Sequence, residues 1–397
     1  MTGFPKTILK KTNRRILEWA RLLQGARVFI SIPLLFIFFF FTSCEEYSGG
    51  NEKSIPGNED QFTAVIWNTQ TMFDGEDEGN EYAEFRAASG WNKEKYEARL
   101  LSMAEAITRM RPLVEGGSAK TTVPDFIGLL ELENSRVLED LAKGPLSKQG
   151  YAETFFGNLP GASLGLGVLS RFPFTATRVH SIIVNGEIDP RPILEVHVEP
   201  WGNPLIFFVC HWKSKIGGDD ATETLRRSSA RVIQRRLREL QIEKPGVPVI
   251  VMWDLNENHD EFQRRQGQVI TALLSDDPEA AKLIEAEKTN GDYLILSKEK
   301  PPQARYLDTS IPALYTPWEN ELSDGSYYYK NNWETIDHFL LSSELFDSQG
   351  WDYDNCLVLN NPPFTNSFGT PYSYTPRTGL GLSDHLPLML YLRTSGQ

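Results

Sequence analysis

The sequence predicts a layered domain of the α/β or α+β class, in which sheets pack against helices. Short apolar runs of strand length recur along the 397-residue chain, and segments whose apolar residues have helical spacing lie between them. This alternation is typical of layered domains that bury one face of a sheet beneath helices. The residues beyond a polar N-terminal stretch are numerous enough to bury a large core and still form one domain.

Eight apolar runs are predicted to be strands, at residues 62–67, 126–130, 167–170, 193–198, 205–210, 247–252, 336–341 and 386–392. Two longer segments are predicted to be helices. Residues 91–110 have apolar positions at helical spacing and end at Arg111-Pro112, whereas residues 221–241 end before Pro245-Gly246. The chain shows no internal repeat.

Residues 1–43 are predicted to be an export signal of the bacterial lipoprotein type. Seven Lys and Arg residues precede an apolar run over residues 28–41, and Thr42-Ser43-Cys44 follows it. In this interpretation Cys44 is lipidated and becomes the first residue of the mature protein. The alternative is an uncleaved N-terminal membrane anchor. Both interpretations place the rest of the chain outside the cytoplasm, in the periplasm or at the cell surface.

Residues 44–61 have too little apolar content to pack and are predicted to be a flexible tether, which leaves residues 62–397 as the folded domain. The whole chain has a net charge of −13, and residues 1–43 hold seven cations and one Glu, so the remainder carries −19. Phosphate backbones are bound mainly by Lys and Arg. The exported part is therefore a poor general binder of nucleic acid, although a local basic patch is compatible with this charge.

Two cysteines remain besides Cys44. Cys210 and Cys356 each lie in or near an apolar run and are either buried core thiols or the two halves of a disulfide, which an exported protein permits. No Cys and His spacing predicts a zinc site.

Polar residues stand at the ends of several predicted strands, where a rigid strand fixes the position of a side chain in the following loop. Asn68 follows the first strand, and its amide could contact a metal-bound water or a phosphate oxygen. Glu131 follows the second strand, and a carboxylate there suits a divalent cation. Taken singly, Asn68 is more typical of a turn, and Glu131 is equally typical of a salt bridge at a strand end.

Two further strands end in residues with catalytic chemistry. His211 ends the run 205–210, where an imidazole can hydrogen-bond an oxyanion, and Ser214 and Lys215 could fix that loop or the anion. Asp254 and Asn256 follow the run 247–252 and are expected to face the same way, because they lie two apart on an extended segment. A carboxylate and an amide aimed at one point could hold a water and stabilise a charged transition state.

The segments Ile336-Asp337-His338 and Ser383-Asp384-His385 complete the set, and the second lies just before the strand 386–392. A carboxylate that holds an imidazole fixes its tautomer and raises its basicity, so Asp337 is a candidate partner for His385. Asp384 suits a hard cation such as Mg²⁺.

Each of these segments is a weak signal alone, but their order is specific. Trp67-Asn68, Leu130-Glu131, His211-Trp212-Lys213-Ser214, Asp254-Leu255-Asn256, Ile336-Asp337-His338 and Ser383-Asp384-His385 resemble the ordered motifs of the endonuclease/exonuclease/phosphatase superfamily. The resemblance covers residues 62–393. It implies a DNase I-like four-layer α/β/β/α sandwich, with two sheets face to face and helices outside, and it implies metal-dependent hydrolysis of phosphoesters.

The resemblance also implies roles for individual residues. Glu131 is similar to the family's main Mg²⁺ ligand, with Asn68 and Asp384 near the metal; Mn²⁺ or Ca²⁺ are the alternative ions. The catalytic residues that it implies are His211, Asp254, Asn256, Asp337 and His385. Among these, His211 would contact the scissile phosphate, Asp254 would position the nucleophilic water, and Asn256 would lie beside it. His338 is expected to be a packing residue.

Two positions depart from the family pattern. Trp253 stands where Gly is usual, and Leu130 stands where Gln is common. If Gly is needed there for close backbone approach or an unusual φ, Trp253 changes the local geometry. Arg191 is either an anion contact or an ordinary strand-edge cation. Six aromatic residues either line a substrate rim or cover the edge of the core: Tyr315, Trp318, Tyr327, Tyr328, Tyr329 and Trp333.

Several substrate classes fit the resemblance. A monomeric extracytoplasmic nuclease is the first expectation, although the charge of −19 counts against it. A lipid phosphodiesterase of the sphingomyelinase type is the second, and a phosphatase of small phosphate esters is the third. A non-catalytic surface binding module is the last, because the acidic and imidazole residues are all present.

Overall fold

The computed structural model describes residues 59–110, 123–288, 291–322 and 325–395. The predicted export signal, Cys44, nearly all of the predicted tether and Arg111-Pro112 lie outside these ranges. None of the helices in the described ranges is long and apolar enough to cross a membrane.

The described elements are numbered in chain order. The strands are β1 (Gln61–Met72), β2 (Phe126–Leu132), β3 (Glu153–Gly157), β4 (Gly165–Ser170), β5 (Phe174–Val184), β6 (Glu187–Val198), β7 (Leu205–His211), β8 (Val249–Asp254), β9 (Leu273–Ser275), β10 (Leu294–Ser297), β11 (Ala313–Tyr315), β12 (Tyr327–Tyr329), β13 (Asn332–Glu334), β14 (Asp337–Leu341), β15 (Trp351–Val358) and β16 (Leu388–Thr394). The helices are α1 (Lys93–Thr108), α2 (Ser135–Lys143), α3 (Asp219–Glu243), α4 (Glu261–Arg264) and α5 (Pro278–Glu287).

Two large sheets and a short hairpin contain all of these strands. The first sheet has the order β15-β16-β1-β2-β4-β3, the second has the order β5-β6-β7-β8-β14-β11-β10-β9, and β12 pairs with β13. The pairs β1–β2 and β7–β8 are parallel. The carboxyl ends of each pair therefore meet at one edge of their sheet.

Three apolar layers show that the sheets lie face to face with helices outside. One layer joins residues of β1, β2 and β16 to residues of β7, β8 and β14 between the sheets. A second layer packs α1 and α2 on the outer face of the first sheet, and a third packs α3 on the outer face of the second. The predicted four-layer α/β/β/α sandwich is therefore confirmed.

The close approach of the two sheets depends on Gly128 in the centre of β2. An added Cβ would lie 3.0 Å from Ile66, 3.1 Å from Met252 and 3.2 Å from Val209, so a larger residue would push side chains of both sheets apart. Interiors packed at this density tolerate added volume poorly.

The predicted elements all exist, with longer bounds in most cases. The helix predicted over residues 221–241 is α3, and the one over residues 91–110 is the shorter α1. Strands β3, β5, β15 and the five short strands from β9 to β13 were not predicted, because they are short, half-exposed or mixed in composition. Cys210 and Cys356 are free thiols buried in different apolar layers. Cys210 lies beneath α3, and Cys356 lies between the sheets. The disulfide alternative is therefore wrong, and the core alternative holds.

A buried ionic network anchors α3 to the second sheet. Glu195 on β6 is fully buried and accepts hydrogen bonds from Arg236 of α3 at 2.8 and 3.0 Å. Its two oxygens also lie 2.7 Å from the Nε2 atoms of His180 and His197. Burial opposes ionisation of Glu195, but the hydrogen bonds of His180, His197 and Arg236 outweigh it and hold its pKa well below the usual range.

We expect Glu195→Gln to lower the free energy of unfolding by about 3 kcal/mol, because it removes the one fully buried carboxylate among the three that contact the Arg236 guanidinium. Urea titration measures the loss. Glu239→Gln is the matched control, since Glu239 contacts the same Arg236 but is 47% exposed, and it should change the free energy by less than about 0.5 kcal/mol.

The same comparison has a defined pH dependence. A depressed folded-state pKa adds stability above the unfolded pKa of about 4.3, and this contribution fades as the pH falls below it. The difference between wild type and Glu195→Gln should therefore shrink between about pH 5 and pH 3. A difference that stays constant over this range would show that folding does not lower the pKa of Glu195.

Candidate active site at the meeting edge of the two sheets

A cleft of about 890 Å³ opens where the carboxyl ends of β1, β2, β7 and β8 meet. Six of the eight predicted site residues line it, namely Glu131, His211, Asp254, Asn256, Asp384 and His385. The other two, Asn68 and Asp337, are buried and hydrogen-bond the lining residues Glu131 and His385, respectively. The structure therefore brings all eight predicted residues to one place.

Asn68 links the two sheets through its side-chain amide. Its Nδ2 atom donates to Glu131 Oε1 and to Asp254 Oδ2, both at 3.0 Å. Glu131 sits at a bulge of β2 with φ +63°, a left-handed conformation that costs energy for a residue with a side chain. The bulge carries the Glu131 carboxylate into the cleft, where its second oxygen accepts a 2.8 Å bond from the Thr71 amide.

The last part of β1, which supplies the Thr71 amide, is held in place by Arg99 of α1. The buried guanidinium donates to three consecutive carbonyls, to Thr69 and Gln70 at 2.7 Å and to Thr71 at 2.9 Å. Gln70 and Thr71 both have positive φ, at +53° and +58°. Burial lowers the pKa of Arg99 to about 10, while the charges of Tyr374 and Glu131 oppose the shift, so the side chain is cationic at neutral pH.

The two histidines of the cleft have opposite electrostatic environments. Burial, reinforced by the positive charges of Arg191 and His385, lowers the pKa of His211 to about 3. Its Nε2 atom lies 3.6 Å from Asp254 Oδ2 and 3.7 Å from Glu131 Oε1. His211 is therefore a neutral imidazole beside two carboxylates.

His385 is paired with Asp337, as expected from the two motifs. Its Nδ1 atom lies 2.8 Å from Asp337 Oδ2, and the same oxygen accepts a 2.5 Å bond from the Ser326 hydroxyl. Burial opposes protonation of His385, but the charges of Asp337, Asp254 and Asp384 raise its pKa well above the usual value. This imidazole is a cation at neutral pH.

Asp254 lies within 4 Å of both histidines. Its Oδ2 atom lies 3.8 Å from His385 Nε2, and burial raises its pKa to about 7, although His385 and the amide of Asn68 oppose the shift. In the described residues, Asp254, Asp337 and His385 form a group whose ligand atoms lie within 4.8 Å and could hold a metal ion. The hydrogen bond between His385 Nδ1 and Asp337 Oδ2 already occupies one ligand atom of each of these two side chains.

One geometric expectation is wrong. Asp254 and Asn256 do not lie on one extended segment, because β8 ends at Asp254 and Asn256 has φ +53°. The turn makes Asn256 donate its backbone amide to Asp254 Oδ1 at 3.0 Å and its side chain to Trp212 O at 3.1 Å. Asn256 still lines the cleft, but it reaches it through a turn rather than through strand alternation.

Comparison with known protein families gives a match over residues 63–290, which is more than half of the chain, to the Endonuclease/Exonuclease/phosphatase family. The chain belongs to this family. Its enzymes hydrolyse phosphoesters, so the protein is a phosphoester hydrolase, and its members typically depend on a divalent metal. No curated protein matches the sequence.

Solved structures with a similar fold include three that span most of this chain. A family member from Bacteroides thetaiotaomicron is 13% identical, with 84% of this chain and 98% of that chain covered and a TM-score of 0.48. TDP2 from Caenorhabditis elegans is also 13% identical, with the same coverage and a TM-score of 0.47. A mannosyl-6-phosphatase from B. thetaiotaomicron is 15% identical, with 83% and 99% covered and a TM-score of 0.47.

The donor set of the cleft fits the family's divalent metal. Glu131 lines the cleft, and its two oxygens accept bonds from Asn68 and from the Thr71 amide. The Asp384 carboxylate also lines the cleft and accepts no hydrogen bond from a described side chain. Burial raises the pKa of Asp384, and the negative charge of Glu131 contributes to the shift despite the opposing charge of His385. Neither carboxylate forms an ion pair with a Lys or Arg side chain of the described residues, and carboxylate oxygens are ligands that Mg²⁺ prefers.

The two departures from the family pattern leave the cleft unobstructed. Trp253 is fully buried and points into the layer beneath α3, where its ring lies 4.8 Å from that of Trp212. Leu130 is buried between the sheets. His338 contacts the Glu257 carbonyl at 2.9 Å in the interior, and Arg191 lines the cleft.

The aromatic loop residues separate into two groups. Tyr315 and Trp318 are buried in the layer between the sheets, so they cover core and do not form a rim. Tyr327 and Tyr329 line the cleft, whereas Tyr328 packs on Trp333 at 5.1 Å.

The sequence interpretation missed three supporting groups, namely the Thr71 amide, Arg99 and Ser326, and it named Tyr327 as a candidate rim residue without predicting its contact with His385. Tyr327 stacks on His385, with ring centroids 4.6 Å apart and planes inclined by 29°. No local pattern marks these residues, because each acts through a partner distant in the chain. Arg99 offered the one available signal, a charged residue at a position of α1 whose neighbours in the helix are buried.

We expect Arg99→Met to lower kcat about 10²-fold, because residues 69–71 lose their support and the Glu131 carboxylate shifts. Calorimetry should show weaker Mg²⁺ binding by the same variant, and circular dichroism should show a retained fold. The control is Arg235→Met, since Arg235 is 67% exposed on α3. Unchanged Mg²⁺ affinity in folded Arg99→Met would show that Arg99 does not position the metal site.

Proposed function

We propose that the protein is an Mg²⁺-dependent phosphodiesterase that acts on nucleic acid outside the cytoplasm. The observation that carries this proposal is the convergence of Asp254, His211 and the Asp337–His385 pair on one cleft, beside the carboxylates Glu131 and Asp384. Mn²⁺ and Ca²⁺ are the alternative ions.

The residues of the cleft would have different roles in hydrolysis. Glu131, with Asn68 and Asp384 nearby, would hold the metal, which when bound supplies Lewis-acid stabilisation of phosphate oxygens. Asp254 is oriented by Asn68 and has a pKa near 7, which suits a group that takes a proton from water. Neutral His211 and cationic His385 can donate hydrogen bonds to oxygens on which charge develops.

The shape and charge of the cleft favour a polymeric substrate. Its volume of about 890 Å³ is near the upper end for small-molecule sites, and its lining includes the cations Arg191, Lys215 and Lys330. Five carboxylates line the same cleft, so these cations are individual contact points for an anion and do not form a continuous basic surface. Lys215 is engaged by Glu261 at 2.7 Å, which leaves Arg191 and Lys330 as the more available anion contacts.

Asp254→Asn should reduce turnover by at least 10³-fold, because the amide cannot accept the proton of the attacking water. The measurement is the initial rate with Mg²⁺ supplied, together with a urea titration that confirms folding. The matched control is Asp352→Asn, at a carboxylate on β15 remote from the cleft, which should keep the wild-type rate. Near-normal hydrolysis by Asp254→Asn would contradict the assigned role.

A substrate panel tests the activity itself. Plasmid DNA, sphingomyelin, a sugar phosphate monoester and bis(p-nitrophenyl) phosphate are incubated with the enzyme, with Mg²⁺ or with EDTA. We expect Mg²⁺-dependent cleavage of DNA and of the aryl diester. Preferential cleavage of sphingomyelin or of the monoester would replace the nuclease assignment, and no cleavage of any substrate would support a binding module.

A further inference from the structure

A row of aromatic rings leads from the reaction centre along one wall of the cleft. Tyr327 stacks on His385, and Tyr329 follows it with ring centroids 6.1 Å apart and planes inclined by 17°. Tyr327 and Tyr329, here called the tyrosine ladder, project from the same face of β12 because they lie two residues apart on a strand. Both line the cleft, and Tyr329 is 52% exposed.

The hairpin that carries the tyrosine ladder is fixed to the catalytic residues. Tyr327 forms an isolated β-bridge with His385, and the Leu386 amide donates to the Ser326 carbonyl at 2.7 Å. Gly325 has φ +148°, and an added Cβ would lie 2.7 Å from the Glu334 carbonyl. Only glycine therefore fits at this position, just before β12 and beside the end of β13. The ladder is therefore a fixed wall of the cleft, positioned by the same segment that positions His385.

Lys330 ends the row of rings. Its ammonium lies 5.0 Å from the centroid of the Tyr329 ring, and it forms no ion pair with the described residues. A cation at this place disfavours a quaternary ammonium headgroup, which would need the same aromatic surface and would be repelled. The Lys330 cation favours a substrate that carries a second negative charge. The flexible lysine side chain lets the ammonium reach a phosphate oxygen when a ring of the substrate stacks on Tyr329.

We propose that the tyrosine ladder binds an unpaired base next to the scissile phosphate and that Lys330 contacts the following phosphate, so that the enzyme prefers single-stranded nucleic acid. This inference rests on the proposed nuclease function. A flat base offers a π-face to the tyrosine rings, and stacking of this kind is tolerant of sequence. In a duplex those faces are covered by neighbouring bases, and the ladder has no surface to bind.

The test compares KM and kcat for a single-stranded oligonucleotide and for its duplex, in wild type and in Tyr329→Ala. We expect wild type to have the lower KM for the single strand. Tyr329→Ala should raise this KM about 5- to 150-fold, the equivalent of about 1–3 kcal/mol, with little change in kcat. Tyr329→Phe retains the ring and should keep the wild-type KM. Tyr306→Ala is the matched control, since Tyr306 is 54% exposed and does not line the cleft.

Lys330→Gln gives a second, independent measurement. If Lys330 contacts a phosphate, the slope of the logarithm of affinity against the logarithm of salt concentration should decrease in magnitude by about 0.7 for a single strand. Binding of a fluorescent oligonucleotide in EDTA measures this slope without hydrolysis. An unchanged slope overturns the contact assigned to Lys330.

The outcomes distinguish failure of the base-binding role of the tyrosine ladder from failure of the proposed nuclease function. If wild type cleaves DNA but Tyr329→Ala has an unchanged KM for the single strand, the ladder is not the base-binding surface and the nuclease function stands. A lower wild-type KM for the duplex than for the single strand would lead to the same two conclusions. If wild type hydrolyses bis(p-nitrophenyl) phosphate but no nucleic acid, the nuclease function fails, and the ladder proposal fails with it.

Discussion

The side-chain amide of Asn68 is the interaction on which the rest of the site depends. It stands at the end of β1 in the first sheet and donates to Glu131 in the same sheet and to Asp254 in the second sheet. One amide thereby sets the distance between the carboxylate suited to a metal and the carboxylate suited to activating water. The bond is possible only because the sheets pack face to face with their functional edges aligned, which in turn requires the small residue Gly128 between them.

Concentrated negative charge is the second constraint on this site. Four carboxylates, those of Glu131, Asp254, Asp337 and Asp384, lie in or just beneath one cleft. Their mutual repulsion and burial raise the pKa of Asp254 and of Asp384, and they stabilise the protonated form of His385. The pKa of His211 is lowered instead, so His211 is neutral at a pH at which His385 is a cation. A divalent cation fits this arrangement because it would bind the carboxylates of Glu131 and Asp384, which form no ion pair with a Lys or Arg of the described residues.

The strand-end motifs were predictable because their chemistry is local. Glu131, His211 and Asp254 each follow an apolar run in the sequence, and parallel strands bring such ends to one edge. The turn at Asn256 was not predictable from alternation, because its left-handed backbone conformation is stabilised by bonds to Asp254 and Trp212. The orientation of Trp253 was equally open, since the sequence does not show which side of β8 faces the helix layer.

By itself, the sequence determined the fold class, the eight predicted site residues and the family to which the chain belongs, because the order of the motifs can be recognised without coordinates. Only the tertiary structure decided that Cys210 and Cys356 stay apart, that Tyr315 and Trp318 are core, and that Tyr327 stacks on His385. It also showed that Arg99 supports the loop beside Glu131. The physical reason is distance along the chain: these contacts join segments tens to hundreds of residues apart, and each depends on which face of an element is buried.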